Sequence, residues 1–370
     1  MKRIVQFLRL AVGGLFIFSG LVKANDPMGL VYKMEEFFEL WKWFGLIPYT
    51  KSLSVVMNAL EIIAGFALCI GWQHKWNLRL LMALILFFTA LTGYTYYTGY
   101  PKTCGCFGDC LPISAATSFF KDVFLCIAIG LLLLKPSTLR GLPQRVSNIL
   151  MGLIFLFAFG LQLYVLDHLP IVDCLPYQVG VDILEARKQP PPPPESTVMF
   201  VYKKDGVEVV FPADQFPADF SADTYQFVRR FETGEIPQPK IQGFVLTTPA
   251  GMDSTEAILG MEKLFLLLSE DIGDGPPAWG TGWLNLIESG RSNNMPVVLV
   301  SNQPDDWKAR WSVSYPQVQC LSSDRTPIRT AARVNPTIYA LEKGVIVGKW
   351  ALTDFPKTVR SITAENPPAK

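Results

Sequence analysis

Five stretches within the first 170 residues are apolar almost without interruption: 4–22, 53–72, 80–97, 119–134 and 146–168. A bilayer core takes roughly 20 apolar residues per helix, so this pattern predicts a membrane-embedded all-α bundle of about five transmembrane helices. Gln6 and Arg9 interrupt the first stretch only near its start, and Glu61 sits near the middle of the second. The third ends in Tyr94, Tyr96 and Tyr97, the composition of an aromatic belt. The fourth is short and opens on Lys121 and Asp122, which leaves its start the least defined boundary. The first stretch could pass for a signal peptide, but no small-residue cleavage site follows it and four further spans do.

Beyond a polyproline run at 190–194, a stiff spacer, the pattern changes to short strands and helices. Residues 198–202 and 207–211 alternate around Lys203, Lys204, Asp205 and Gly206, which predicts a hairpin. Residues 212–260 read as irregular, with many prolines and turn residues. An alternating α/β series follows, with strands at 263–268, 297–301 and 318–320 and helices at 279–289, 304–311 and 328–332. A last hairpin spans 338–341 and 345–350 around Glu342, Lys343 and Gly344. The expected organisation is a transmembrane domain at 1–170, a juxtamembrane segment and linker at 171–195, and a soluble α/β domain at 196–370.

Charge adds orientation. Lys2, Arg3, Lys75, Arg79, Lys135, Arg140 and Arg145 flank one set of loops, which by the positive-inside rule faces the cytoplasm with the N-terminus. Five spans then carry the C-terminal domain to the other side, the periplasm of a bacterial inner membrane. The opposite loops hold Lys33, Lys42, Lys51 and Lys102, so the bias is moderate. A net charge of +1 lacks the basic surplus of a nucleic-acid binder. No phosphate loop, paired catalytic carboxylates or serine triad is present.

Seven cysteines narrow the chemistry. Cys69 and Cys126 lie in apolar runs, where a thiol behaves as a small hydrophobe. Cys104, Cys106 and Cys110 share one loop and Cys174 follows the last span, so parity puts all four on one side. If that side is the periplasm, disulfides persist there. One glycine separates Cys104 from Cys106, so these two thiols can meet without a fold to bring them together, with Cys110 or Cys174 as a resolving thiol. Three readings stand open: an exchanging disulfide, a structural disulfide, and three or four thiolates around a zinc ion. Cys320, alone in the soluble part, reads as a core residue. His74 and His168, the two histidines, sit at span ends.

Glu61 is costly at its depth unless paired or neutral. It reads either as a proton relay or quinone-binding group, or as a packing contact with Asn58 or another polar neighbour. Lys23, at the outer end of the first span, would reach it only through a tilt or a shared aqueous cavity.

The Phe18-Ser19-Gly20-Leu21-Val22-Lys23 end of the first span, the following Asp26-Pro27 and the Cys104-Gly105-Cys106-Phe107-Gly108 loop resemble the DoxX superfamily, nearest its methylamine-utilisation MauE branch, over about residues 1–170. The whole chain is similar to DoxX-family proteins of the Bacteroidetes with a C-terminal extension. The resemblance implies a membrane protein that helps form or maintain disulfides in a periplasmic partner, and a membrane quinone as an electron acceptor. The strand order after residue 245, with Asn335-Pro336-Thr337 just ahead of a strand, resembles the thioredoxin-like fold and its cis-proline loop. Active thioredoxins place a Cys-x-x-Cys pair where this chain runs from Glu270 through Gly275 and Pro277 to Trp279 without a cysteine. The fold therefore implies a scaffold without the dithiol. Together these readings lead to thiol–disulfide maintenance with Cys104 and Cys106 exchanging, Cys110 and Cys174 accessory, and Lys23 and Glu61 at the acceptor. The rival expectation is a non-enzymatic membrane anchor or assembly factor whose soluble domain docks a partner protein.

Overall fold

The computed structural model describes residues 2–101, 105, 107–134, 141–190, 197–204, 206–213, 215–217, 219–221, 223–233 and 238–357. Cys104 and Cys106, the expected exchanging pair, lie outside the described residues, as do most of the polyproline run and the 135–140 loop.

Among the described residues five helices are long and apolar enough to cross a membrane, which fits a multi-pass membrane protein. They are α1 (Lys2–Asn25), α3 (Thr50–Ile70), α4 (His74–Thr98), α5 (Ala115–Leu134) and α6 (Gln144–Asp167). Their outward faces carry exposed Phe124, Ile127, Leu131, Phe155 and Leu156, side chains whose solvent is acyl chain. A further helix, α2 (Pro27–Leu40), has no counterpart among the expected elements. Its Lys33, Glu35, Glu36 and Glu39 break up the apolar run, so a search for spans passes over it. Its start is nonetheless legible: Asp26 accepts from Gly29 N at 3.2 Å, and Pro27 supplies the fixed φ of a first helical position.

Glycine sets how closely α1 and α3 pack. A Cβ on Gly65 would lie 2.7 Å from the Gly13 carbonyl oxygen, so a methyl there would push the helices apart. In lipid no hydrophobic drive joins two apolar helices, and close backbone approach supplies the attraction instead.

The C-terminal region holds two sheets. Strands β1 (Thr197–Lys204), β2 (Val207–Pro212) and β3 (Tyr225–Thr233) form an antiparallel sheet in the order β2-β1-β3. The β1–β2 hairpin was expected, whereas β3 falls in the stretch read as irregular. The larger sheet has the order β6-β5-β4-β7-β8, from β4 (Leu264–Ser269), β5 (Val297–Ser301), β6 (Val318–Ser322), β7 (Thr337–Glu342) and β8 (Val345–Ala351). β4, β5 and β6 run parallel, and β7 and β8 complete it antiparallel. Every residue of β4 is buried because helices cover both faces, hence its unbroken Leu-Phe-Leu-Leu-Leu run. On one face Leu266, Val298 and Tyr339 pack with Ile183 of α7 (Ile183–Ala186), Ile258 of α8 (Thr255–Leu259) and Ile328 of α11 (Arg325–Ala331). On the other, Phe265 and Leu299 meet Trp283 of α9 (Gly280–Ser292) and Trp307 of α10 (Pro304–Arg310).

Residues 177–186, assigned by the sequence to the juxtamembrane segment, belong to this sheet's core. Tyr177 and Ile183 are buried against Phe244 and Tyr339, and Gly180 N donates to Ile346 O at 2.7 Å. The sheet domain thus starts within about ten residues of the end of α6, and the three-stranded sheet is inserted into it.

Candidate functional site

The loops after α1, α4 and α6 meet at one end of the bundle, beneath the sheet domain. The opposite end closes where Leu142 N donates to Ile70 O at 3.0 Å. At the first end Cys110 of the α4–α5 loop is joined to Cys174 after α6 in a disulfide. Neither is a free thiol in this state, so a resolving role requires that bond to open first, and Cys110 is withdrawn from any thiolate set around zinc. Cys69, Cys126 and Cys320 are free. Burial pushes the Cys320 thiol up to about 12, in keeping with its packing against the Trp283 and Trp307 side of the sheet.

Lys23 and Glu61 are brought together in a buried ion pair. The anticipated obstacle, that Lys23 sits too far out, disappears with the register of α3. Ser54 Oγ donates to Pro27 O at 2.8 Å and Asn58 Nδ2 to Lys23 O at 3.3 Å. Asn58 is therefore level with Lys23, and Glu61 lies only about 4.5 Å deeper, three residues at about 1.5 Å each. Glu61 is near the middle of its hydrophobic stretch but not at mid-bundle, because a turn at Phe44–Tyr49 and the first turns of α3 extend past α1. Asn58, the neighbour considered for Glu61, instead donates to Gln162 Oε1 at 3.1 Å. Glu61 Oε2 has no hydrogen-bond partner among the described residues.

A second ion pair, between partly exposed Lys121 and buried Asp122, faces the first and was not anticipated as part of the site. Asp122 is buried in α5, accepts from Thr92 Oγ1 at 3.1 Å, and lies 2.9 Å from Lys121 Nζ. The Lys121 ammonium sits 4.6 Å above the Phe107 ring of the cysteine loop. Between the pairs is a cavity of about 30 Å³ lined by Ser19, Lys23, Glu61, Phe107, Lys121 and Asp122, enough for a water.

On the other side of Lys23, an apolar groove of about 290 Å³ opens between α2, α3 and α4. Phe37, Trp41, Met57 and Phe88 line it, together with Lys23 and Gly105 of the cysteine loop. The Lys23 ammonium is 4.6 Å from the Phe88 ring centroid. Trp43 and Phe87 at the lips are about half exposed, so the groove opens sideways towards lipid.

The sheet domain closes over this end through charge. Arg333 is buried between two carboxylates, with Nε 2.9 Å from Asp26 Oδ2 and Nη2 on Asp109. Arg329 lies 2.7 Å from Glu35 of α2 and 2.8 Å from Glu270 at the end of β4. Both guanidinium groups rest over Tyr32, at 4.5 and 5.4 Å from its ring centroid. Lys349 of β8 donates to Asp173 at 2.8 Å, Thr353 Oγ1 to Asp167 O at 2.8 Å, and His168 Nε2 stands 3.3 Å from Asp354. Burial raises the Asp26 carboxyl above its usual range against the pull of Arg333. It also draws the Lys349 ammonium down, against Asp173. At Glu270 burial works upward, but hydrogen bonds from Arg329 and Arg325 outweigh it and hold the carboxyl below its usual range. None of these partners is marked by a motif. Only Asp26-Pro27 and Asn335-Pro336 stood out, and Arg333 lies two residues before the latter, whose peptide bond is cis.

Among the described residues no group of three or more His, Cys, Asp or Glu side chains is placed to hold a metal. Residues 197–233 match the family described as a domain of unknown function (DUF8463). Neither a curated protein nor a solved structure matches the chain. Residues 1–135 match the family of methylamine utilisation protein MauE, and the chain is therefore a membrane protein with a MauE-like domain at its N-terminal end.

Proposed function

We propose that this protein supports thiol–disulfide maintenance of a partner protein on the outer, periplasmic side of a bacterial inner membrane. The observation that carries the reading is an apolar groove lined both by Gly105 of the cysteine loop and by Lys23, whose ammonium is held in a buried pair with Glu61. Ionisable groups inside a bundle are expensive and mark function more often than packing. The Cys110–Cys174 disulfide favours an oxidising compartment for this end. In the proposed cycle a client dithiol reduces the Cys104–Cys106 disulfide. The client leaves oxidised, and the loop holds the two electrons and two protons as thiols.

A membrane quinone is the acceptor class that suits the groove, since its lining is apolar and aromatic and a Lys23 N–H can donate to a carbonyl oxygen. It would take up those electrons and protons. Glu61, with one oxygen unpartnered, and Asp122 across the small cavity are the groups placed to pass protons towards the loop. The strand order of the larger sheet supports a thioredoxin-like scaffold, and without a cysteine between Glu270 and Trp279 its proposed part is to bind rather than to react.

The test is thiol trapping of Cys104 and Cys106 across a graded redox buffer, with the single serine variants compared in cells. The expected result is a readily reduced pair, and variants that leave the client reduced while the bundle still assembles. If the pair never traps until the protein denatures, or the variants keep full function, the reading fails. The second reading, a non-enzymatic anchor or assembly factor, would then stand, favoured by the ionic seating of the sheet domain on the bundle.

A further inference from the structure

Two of the carboxylates that seat the sheet domain on the bundle are the immediate predecessors of the disulfide-bonded cysteines. Asp109 precedes Cys110 and takes Arg333; Asp173 precedes Cys174 and takes Lys349. Arg333 and Lys349 are themselves almost fully buried, each with a side chain only 5% exposed; Asp173 is nearly so, whereas Asp109 keeps an exposed edge and its contact is the more solvent-screened of the two. Three residues beyond Cys174, Tyr177 is already in the core of the sheet domain, and Lys349 Nζ also donates to its carbonyl at 3.2 Å. The disulfide therefore ties the α4–α5 loop directly to the foot of the sheet domain. Asn25, at the end of α1, completes the joint: its Nδ2 donates to Val172 O at 2.8 Å and its Oδ1 accepts from Val172 N at 2.9 Å.

We infer that the sheet domain is a cap whose basic edge, Arg333 and Lys349, fits the acidic collar Asp26, Asp109 and Asp173, and that this docking and the Cys110–Cys174 bond stabilise one another. The partner of that edge is this chain's own membrane domain. With the disulfide closed, Asp109 is held at two points, by the helices that flank its loop and by Cys174. With the disulfide open, only the helices hold it, and pairing with Arg333 must overcome the freedom of the loop. Opening takes an external dithiol: the S–S bond breaks, two thiols form, and the reductant closes to its own disulfide after giving two electrons and two protons. The cap then loosens, and the α2 and cysteine-loop surface that it covers becomes open to a protein partner. The inference does not depend on exchange at Cys104 and Cys106.

Coupling between two equilibria is reciprocal, so each side can be read from the other. Full-length protein in lipid nanodiscs is equilibrated with oxidised and reduced dithiothreitol, and Cys110 and Cys174 are trapped and quantified individually by mass spectrometry. The double variant Arg333→Gln/Lys349→Gln is expected to be about tenfold easier to reduce at this bond, a shift of about 30 mV for a two-electron couple. Asp109→Asn should move the same way by a smaller factor, and Lys188→Gln, which removes only an exposed pair with Glu185, should not move it. In the reciprocal arm, Cys110→Ser/Cys174→Ser should speed hydrogen exchange in α2 and α11 while leaving β4 and β5 protected. Protected β4 and β5 also show that each variant is folded. A midpoint for the folded double variant within twofold of the parent, or unchanged exchange in α2 and α11, overturns the coupling.

Discussion

The bundle and the sheet domain solve the same problem, burying a chain, with opposite means. The sheet domain buries large side chains on both faces of β4 to β8, with Trp283, Trp307, Phe265 and Tyr339 almost wholly enclosed and no charged pair between them. The bundle turns many of its large apolar side chains outward and is held by glycine contacts and, towards the cysteine-loop end, by the buried Lys23–Glu61 pair and by buried Asp122 with its partly exposed partner Lys121. Water drives the first kind of core together, because apolar area leaves solvent. Lipid offers no such drive, so close packing and polar contacts become the attraction, and any charge inside must be matched. Where the two regions meet, both means fail: the surface is neither dry apolar core nor lipid-facing, and cation–carboxylate pairs over Tyr32 take over.

The sharpest way to break this contrast is to unpair the bundle. Lys23→Met strands the Glu61 carboxylate and should destabilise the detergent-solubilised bundle by roughly 3–5 kcal/mol. Lys23→Met/Glu61→Leu should recover most of that loss, whereas unfolding of the sheet domain, read by exposure of the Cys320 thiol, stays where it was. Equal losses in the single and double variants would mean that the pair is not the unit. The matching experiment in the sheet is Leu266→Ala, fully buried in β4, with an expected cost of about 2–5 kcal/mol in denaturant unfolding. It should leave the bundle's melting unaffected. Gly65→Ala should cost about 1–3 kcal/mol in the bundle through overpacking against Gly13. Thermal unfolding in detergent reads it, and no loss would argue that α1 and α3 can part freely.

A smaller effect concerns the interface. Glu270 titrates below its ordinary range, so its contacts with Arg325 and Arg329 contribute stability that is complete above the unfolded carboxylate value, about 4.3. That contribution fades as the pH falls through the lower folded value. Glu270→Gln should therefore flatten the acid limb of the sheet domain's stability profile, and an unchanged limb would remove Glu270 from the account. The smallest effect is at Cys320, whose thiol is pushed up to about 12. At pH 8 it should resist alkylation in the folded protein and react once the sheet unfolds; rapid labelling of native protein would contradict its burial.

Local patterns carried far because their causes are local. A span needs only length and apolarity, and a strand buried on both faces needs only an unbroken apolar run, so α1, α3 to α6, β4 and β5 were legible in outline, while β7 and β8 were marked by the turn at Glu342, Lys343 and Gly344. The absence of a dithiol ahead of α9 was equally plain. Elements of mixed character were not: α2 carries charge on a helix too amphipathic to count as a span, and β3 sits among turn residues that hide its pairing with β1. The segment at 177–186 read as a linker because nothing in its composition announces the sheet that it packs against.

The site itself divides in the same way. The residue types were on view in the chain: cysteines in one loop, a glutamate in an apolar stretch, and a lysine at a helix end. Their partners were not, because each pairing is set by register between elements distant in sequence. Cys110 and Cys174 are separated by 64 positions, Lys23 and Glu61 by 38, and Asp109 and Arg333 by 224. Sequence by itself determined that this is a membrane bundle with an α/β domain and a cysteine-bearing loop, since apolar length and strand patterning act residue by residue. The tertiary structure alone decided that Glu61 meets Lys23, that Cys110 is bonded to Cys174, and that Arg333 closes on Asp26 and Asp109. Those outcomes follow from how far α3 extends past α1 and from the seating of one domain on the other.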